Sequence, residues 1–171
     1  MIRLIKPYIR FEEVEESFKD IFASGLLTKG EYVERFQKEI ARYTGASYAF
    51  LTTSATTALS MALKIYEVGV GDEVIVSDFS FPATVNVVED LGAVPVFADV
   101  DIATFNMLPS ELTQKISSRT KAVIFVDAFG NPSGIGKIKA VCEQHKVPLI
   151  EDAACAIGSS ENGVLCGNIA D

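Results

Sequence analysis

A run of small hydroxyl residues stands where a short apolar segment gives way to a helical pattern. Five of the six residues from 52 to 57 are Ser or Thr, and the helical window Thr57–Tyr66 follows them. A helix N-terminus offers free N–H groups and the positive end of its dipole, so this position suits a phosphate or another anion. The alternative is an N-cap with spare hydroxyls, which explains one such residue but not five. The segment matches neither the P-loop nor the dinucleotide-binding fingerprint.

Two phenylalanines follow the next apolar run. Phe79 and Phe81 alternate in Ser77–Thr84, so they point in opposite directions if the chain is extended there. One of the two rings could then lie over a planar ligand. The alternative is that both are core aromatics.

Polar residues follow two later apolar runs. Asn131 lies in a segment with turn composition, and Glu151 and Asp152 end an otherwise apolar strand. Acidic side chains at such a position are costly unless they are paired. Asp152 could cap a following helix or hold a cationic ring nitrogen, and composition alone leaves both readings open.

The elements that must position these residues alternate between strands and helices. The predicted strands are Tyr48–Leu51, Val74–Val76, Val94–Ala98, Ala122–Val126 and Pro148–Ile150. The predicted helices between and after them are Thr57–Tyr66, Ala83–Leu91, Pro109–Ile116 and Ile135–His145. Nearly continuous apolar strands separated by helices indicate an α/β fold, a three-layer sandwich with a mostly parallel sheet. In such sheets ligands bind beyond the carboxyl ends of the strands, where the polar residues above occur.

Two amphipathic helices are predicted before the first strand. Phe11–Ala23 and Gly30–Tyr43 each carry apolar residues at the spacing of a single buried stripe, and Gly25 and Gly45 end them. The sequence therefore predicts a helical segment over residues 1–45 and a large α/β domain over residues 46–171.

Composition excludes several classes of protein. The 171 residues are 49% hydrophobic and 22% charged with a formal net charge of −8, so the length suits one ordinary domain and no basic face for nucleic acid is expected. No apolar run is long enough for a membrane span, and charges interrupt the first residues, which favours a cytoplasmic protein. The three cysteines are then free thiols, their spacings match no zinc pattern, and the single histidine, His145, is expected at a solvated helix end.

Taken in order, several segments resemble the N-terminal part of the DegT/DnrJ/EryC1/StrS sugar aminotransferases, which are fold-type I enzymes that use pyridoxal 5'-phosphate (PLP). The matching segments are SGLLTKGEYVERFQKEIARYTG, SATTALSMAL, VGDEVIVSDFSFPAT, GAVPVFADVD, RTKAVIFVDAFGNP and PLIEDAACAIG. The resemblance implies the large domain of such an enzyme, incomplete at its C-terminal end. It also implies a nucleotide-linked keto sugar as substrate, glutamate as amino donor, and a homodimer or other self-associating species.

The resemblance assigns the cofactor-binding residues. Ala55 and Thr56 would bind the phosphate through backbone N–H groups, and Phe81 would stack on the pyridine ring. Asp152 would pair with the pyridinium nitrogen. Asn131 resembles a family asparagine that reaches the ring hydroxyl, and Cys155 stands where the family commonly has a cofactor-contacting Gln.

The family's Schiff-base lysine has no counterpart in the sequence. The candidate lysines lie in helix-surface contexts instead: Lys115, Lys121, Lys137, Lys139 and Lys146. The chain by itself is therefore expected to be inactive, with no catalytic residue assigned. Two alternatives stay open: a PLP-dependent sugar dehydratase of the same family, which has His in place of the lysine, and a non-catalytic truncated gene product.

Overall fold

The computed structural model describes residues 8–171 and is built around a parallel sheet of four strands. In chain order the strands are β1 (Glu73–Ser77), β2 (Val94–Ala98), β3 (Thr120–Val126) and β4 (Leu149–Asp152). They lie in the order β2-β1-β3-β4, and every neighbouring pair is parallel. All four carboxyl ends therefore meet at one edge of the sheet.

Six α-helices precede and connect the strands. They are α1 (Glu15–Ser24), α2 (Glu31–Thr44), α3 (Ala55–Ile65), α4 (Ala83–Glu89), α5 (Pro109–Lys115) and α6 (Ile135–His145). Two short 3-10 turns (Phe11–Glu13 and Ala128–Gly130) and a hairpin of β5 (Ser160–Glu161) and β6 (Val164–Leu165) complete the described elements. No helix within residues 8–171 combines the length and apolar character needed to cross a membrane.

The helices cover the sheet on both faces. Ala122 and Ile124 of β3 pack in a core with residues of α3 and α4, whereas Val123 and Phe125 pack in a second core with residues of α5 and α6. This division follows from the alternation of side chains along a strand. The predicted three-layer α/β sandwich is confirmed.

The predicted strand Tyr48–Leu51 is wrong. These residues have no regular structure, and Tyr48 and Phe50 are each 81% exposed. A strand exists only through hydrogen bonds to a neighbouring strand. No strand within residues 8–171 pairs with this segment, so its apolar composition does not produce one.

The predicted burial of the two N-terminal helices is also wrong. The helices form close to their predicted bounds, and both end at glycines in the left-handed conformation. However, no residue of α1 or α2 is buried, and the rings of Phe18 and Phe22 are 48% and 69% exposed. Their apolar stripes meet neither core of the described fold, and the domain boundary at residue 45 stays a prediction.

A buried glutamate links the amino ends of β1 and β3. The Glu73 carboxylate accepts hydrogen bonds from Ser117 Oγ at 2.5 Å and from Arg119 Nε at 2.8 Å, and Arg119 Nη2 also donates to it. The Ser117 hydrogen bond, followed by those from Arg119, holds the pKa of Glu73 below its usual range. Glu73 therefore stabilises the sheet in its charged form.

Replacing Glu73 by glutamine is expected to lower the free energy of unfolding by about 1 kcal/mol at neutral pH. Because the folded-state pKa is lowered, the charged carboxylate contributes stability above the ordinary glutamate pKa and loses it as the pH falls through the folded value. Urea unfolding should therefore show a difference between wild type and Glu73→Gln that shrinks between about pH 5 and pH 3. Glu89→Gln, at the exposed end of α4, is the control. A difference that does not change with pH would contradict the role of the charge.

Candidate functional site

A cavity of about 470 Å³ lies at the carboxyl edge of the sheet, beside the N-terminus of α3. It is lined by Ala55, Thr56, Leu59, Phe79, Ser80, Phe81, Ala83, Val126, Asp127, Ala128, Phe129, Asp152, Ala154 and Cys155. Five of the six predicted cofactor residues are among them, and Asn131 is not. The structure therefore brings together residues that are about one hundred positions apart in the sequence.

The hydroxyl residues at the start of α3 are mostly occupied with one another. Ser54 is the N-cap and its Oγ accepts a hydrogen bond from the Thr57 N–H at 3.1 Å. The Thr57 hydroxyl lies 3.1 Å from Ser54 Oγ and 3.3 Å from Thr53 Oγ1. The backbone N–H groups of Ala55 and Thr56 have no acceptor within residues 8–171. The groups left free to bind an anion here include these two amides.

Alanine at position 55 is compatible with this local backbone. Ala55 is the first residue of α3 and does not have a positive φ. Glycine is needed only where φ is positive or where a Cβ would clash. Alanine at this position therefore leaves the helix start intact.

Asp152 lies at the end of β4 with its side chain half-buried at the cavity wall. Its Oδ1 accepts a hydrogen bond from the Ala154 N–H at 3.1 Å. A turn, not a helix, follows it, so the reading of Asp152 as a helix cap is wrong. Its carboxylate can still accept a hydrogen bond from a positively charged group in the cavity.

The two phenylalanines after β1 are not core residues. Phe79 is 42% exposed and Phe81 is 73% exposed, so the core-aromatic alternative is wrong for both. Phe79 packs against Phe105 and Phe129, with ring centroids 5.0 Å and 5.6 Å away. Phe81 takes no part in this cluster, and its ring is available to a planar ligand.

The turn after β3 closes one side of the cavity. Gly130 has φ +81° and lies against the backbone of Cys155, where a Cβ would come within 2.8 Å of the Cys155 carbonyl oxygen. Asn131 uses its Oδ1 inside the turn, where it accepts from the Ser133 N–H at 3.1 Å and from Ser133 Oγ at 2.6 Å. Its side chain therefore holds the turn together and does not reach the cavity.

Sequence reasoning missed two residues that shape this turn. Buried Asn106 donates from Nδ2 to the carbonyl oxygens of Asn131 at 2.8 Å and Ser133 at 2.9 Å, and it accepts from the Ala128 N–H at 3.2 Å. Phe129 is held at φ +52°, which is uncommon outside glycine. No local signal distinguishes either residue, since both depend on contacts between distant segments.

The cavity contains carboxylates but no amine from lysine. Burial, together with the charge of the nearby Glu151 carboxylate, raises the pKa of Asp127 to about 7. No lysine lines the cavity wall. Lys115, Lys137 and Lys139 lie instead on α5 and α6, and Lys139 Nζ donates to the Ile169 carbonyl oxygen at 2.7 Å. Lys146 follows the end of α6, whereas Lys121 lies in β3, so its predicted place on a helix surface is wrong.

The sequence pattern of the DegT/DnrJ/EryC1/StrS aminotransferase family matches residues 9–171. The chain belongs to this family. It is 40% identical over 165 residues to the spore coat polysaccharide biosynthesis protein SpsC of Bacillus subtilis, covering 96% of this chain and 42% of SpsC. It is 33% identical to the GDP-perosamine synthase of Vibrio cholerae, covering 100% of this chain and 47% of that protein.

Solved structures of aminotransferases have the same fold. The sugar aminotransferase Spr1654 from Streptococcus pneumoniae, in its PLP form, superimposes with a TM-score of 0.93 at 31% identity, covering 99% of this chain and 47% of that one. The aminotransferase TlmJ from Streptoalloteichus hindustanus gives a TM-score of 0.91 at 32% identity, covering 100% and 47%. The chain thus spans less than half the length of these relatives.

Proposed function

We propose that this chain forms the cofactor-holding part of a PLP-dependent aminotransferase that acts on a nucleotide-linked keto sugar. One observation carries the proposal. A single cavity gathers the free amides at the start of α3, the exposed ring of Phe81 and the carboxylate of Asp152. A phosphate, a planar ring and a cationic ring nitrogen are the three groups that this set of residues suits.

The residues that line the cavity can contact the phosphate, the ring and the ring nitrogen of PLP. The N–H groups of Ala55 and Thr56 would hold the phosphate, and Phe81 would stack on the ring. Asp152 would keep the ring nitrogen protonated by pairing with it. Cys155 at the cavity wall has one weak donor where an amide has two donors and one acceptor, so it would contribute less to binding. Asn131 would reach the ring hydroxyl only after releasing its hydrogen bonds to Ser133. When bound, PLP supplies an electron sink for the reacting carbon.

The relatives support a nucleotide-linked sugar as the substrate. They include a GDP-perosamine synthase and a dTDP-3-amino-3,6-dideoxy-alpha-D-galactopyranose transaminase. In our proposal the substrate is a keto sugar of this class, and glutamate is the amino donor. The product is then an amino sugar still attached to its nucleotide.

The cavity lining contains no amine that could form a Schiff base with the cofactor. Neither a lysine nor His145 lines the cavity. We therefore propose that residues 8–171 bind PLP without transaminating, and that the reactive amine has to come from outside them.

Treatment of the purified chain with PLP and then borohydride tests this proposal. We expect reversible PLP binding, no transamination of a keto sugar nucleotide with glutamate, and only scattered reductive labelling of surface lysines. Peptide mapping by mass spectrometry reports where label is fixed, and free pyridoxal at equal concentration is the control for non-specific labelling. Stoichiometric label at one lysine would contradict the absence of a reactive amine, and no detectable PLP binding would contradict the cofactor site itself.

We also expect the chain to self-associate. Tyr48, Phe50, Phe81 and Phe129 are each between 73% and 81% exposed, and β2 forms an edge of the sheet. Exposed apolar side chains and open strand edges favour pairing with another chain. Sedimentation velocity should show a weight-average mass that rises with protein concentration, and Phe129→Asp should reduce it. A single monomeric species at all concentrations would contradict this expectation.

A further inference from the structure

Three side chains to which the proposed cofactor site assigns no role converge at the carboxyl ends of β3 and β4, and one of them, Asp127, also lines the cavity. Asp127 and Cys166 are buried, at 1% and 3% exposure, and Glu151 is half-buried. A carboxylate oxygen from each acid and the thiol sulfur all lie within 4.8 Å of one another. Asp127, Glu151 and Cys166 form a buried cluster.

The Glu151 side chain lies on the opposite side of β4 from that of Asp152. Leu149 packs in the core with α5 and α6, and Ile150 packs in the core with α3 and α4. By alternation, Glu151 shares the side of Leu149, whereas Asp152 shares the side of Ile150 and faces the cavity. Glu151 and Asp152 are adjacent in the sequence, but their side chains therefore lie in different surroundings.

Three of the four carboxylate oxygens of the buried cluster have no hydrogen-bond partner in the described part of the chain. Both carboxylate oxygens of Asp127 and the Oε1 of Glu151 are buried and unpartnered within residues 8–171. Burying such groups without a partner costs free energy, and native structures rarely leave them so. Asp127 is 99% buried and unpartnered, and it lies beside a second acid and a thiol. A bound cation would give these groups the partner that they lack.

The orientation of Glu151 is fixed from outside the cluster. Its Oε2 accepts hydrogen bonds from the N–H groups of Ile169 at 3.2 Å and Ala170 at 3.5 Å. Its Oε1 is left as the free ligand atom. Backbone bonds to one oxygen of a carboxylate are the kind of outer contact that orients a metal ligand.

We propose that Asp127, Glu151 and Cys166 bind a divalent cation of the zinc class. Mg²⁺ and Ca²⁺ prefer all-oxygen sites, whereas Zn²⁺ and Co²⁺ accept a thiolate together with carboxylates. Zinc-to-ligand distances of about 2.0–2.2 Å for oxygen and about 2.3 Å for sulfur place ligand atoms about 3.3–3.7 Å apart in a tetrahedral site. The buried cluster reaches that spacing by small side-chain movements, because its ligand atoms already lie within 4.8 Å.

The rival explanation is a proton shared between the two carboxyl groups. Burial raises the pKa of Cys166 as well as that of Asp127, so a metal ion would have to displace protons to bind. A shared proton needs no thiol, whereas the metal site does. The contribution of Cys166 therefore separates the two explanations.

The site also explains why cysteine spacing gave no zinc pattern. It uses one cysteine with two acids, and the three ligands come from the ends of two strands and from the segment after β6. Only the parallel pairing of β3 with β4, which places Val126 beside Asp152, brings Asp127 near Glu151.

Titration of the metal-free full chain with Co²⁺ tests the proposal. We expect thiolate-to-cobalt charge-transfer absorption that saturates at one equivalent and is lost when Zn²⁺ is added. Cys166→Ser should abolish this absorption, and Asp127→Asn should weaken Co²⁺ binding at least about tenfold. Cys155→Ser removes an exposed thiol outside the buried cluster and should leave the absorption unchanged.

A second measurement keeps the test independent of the absorption. Zn²⁺ should raise the midpoint of thermal unfolding of wild type and of Cys155→Ser, and raise that of Cys166→Ser and Asp127→Asn much less. Circular dichroism establishes that each variant is folded before titration. Absorption that survives in Cys166→Ser, or no binding by wild type at millimolar Co²⁺, would overturn the metal site and leave the shared proton.

Discussion

Replacing Asp152 by asparagine is expected to weaken the binding of PLP by about tenfold or more, because a charge-assisted hydrogen bond contributes about 1.5–3 kcal/mol. In the proposed site the Asp152 carboxylate accepts a hydrogen bond from the protonated ring nitrogen, and asparagine keeps the shape but removes the charge. The half-buried position of Asp152 limits screening by water. Isothermal titration of the chain with PLP measures the affinity directly.

A cofactor analogue identifies the atom involved. An analogue with C–H in place of the ring nitrogen should bind wild type more weakly than PLP does, and should bind Asp152→Asn about as well as wild type. Asp90→Asn removes the same charge from an exposed position and is the control. If Asp152→Asn weakened PLP and the analogue equally, the carboxylate would be acting on the shape of the cavity and not on the ring nitrogen.

The repeating part of the fold could be predicted from the sequence because local signals were sufficient there. The bounds of Val94–Ala98 and Ile135–His145 are confirmed to the residue. Apolar runs of strand length separated by helical windows have few other solutions than a parallel sheet covered on both faces. That geometry also explains why residues near the ends of different strands line one cavity.

The wrong predictions concern segments whose structure or burial depends on contacts with another segment. Tyr48–Leu51 has strand composition but no neighbouring strand within the described residues, and the stripes of α1 and α2 have no core to pack against. Periodicity reports which face of an element is apolar, and it cannot report what that face meets. The same limit applies to Asn106, which crosses to a turn 25 residues away.

A residue of the candidate site could be predicted from the sequence where it lies at or soon after the end of one strand. Phe81 and Asp152 line the cavity, whereas Asn131 uses its side chain within its own turn. The buried cluster could not be predicted, since its three ligand residues come from separate segments of the chain and include no metal-binding sequence pattern. Strand-end position is thus a good guide to a site in this fold, and residue type alone is not.

The turn that closes the cavity depends on glycine at position 130. Gly130 combines φ +81° with a close approach to Cys155, and its carbonyl oxygen accepts a hydrogen bond from Ser159 Oγ at 2.6 Å. Any side chain here meets two costs, the left-handed backbone and a clash with a carbonyl oxygen that belongs to the backbone. The segment that carries Cys155 would have to move.

Gly130→Ala is therefore expected to lower the free energy of unfolding by about 3 kcal/mol, of which about 1–2 kcal/mol comes from the backbone conformation and the rest from the clash. Gly163→Ala is the matched control, because Gly163 has φ +82° but a Cβ there meets nothing within 4 Å. Urea unfolding of both variants should show a loss for Gly163→Ala of about half the size or less. PLP affinity should fall only in Gly130→Ala, since only that turn supports the cavity wall at Cys155. Equal losses of stability in the two variants would mean that the backbone conformation alone demands glycine, and that the contact with Cys155 adjusts freely.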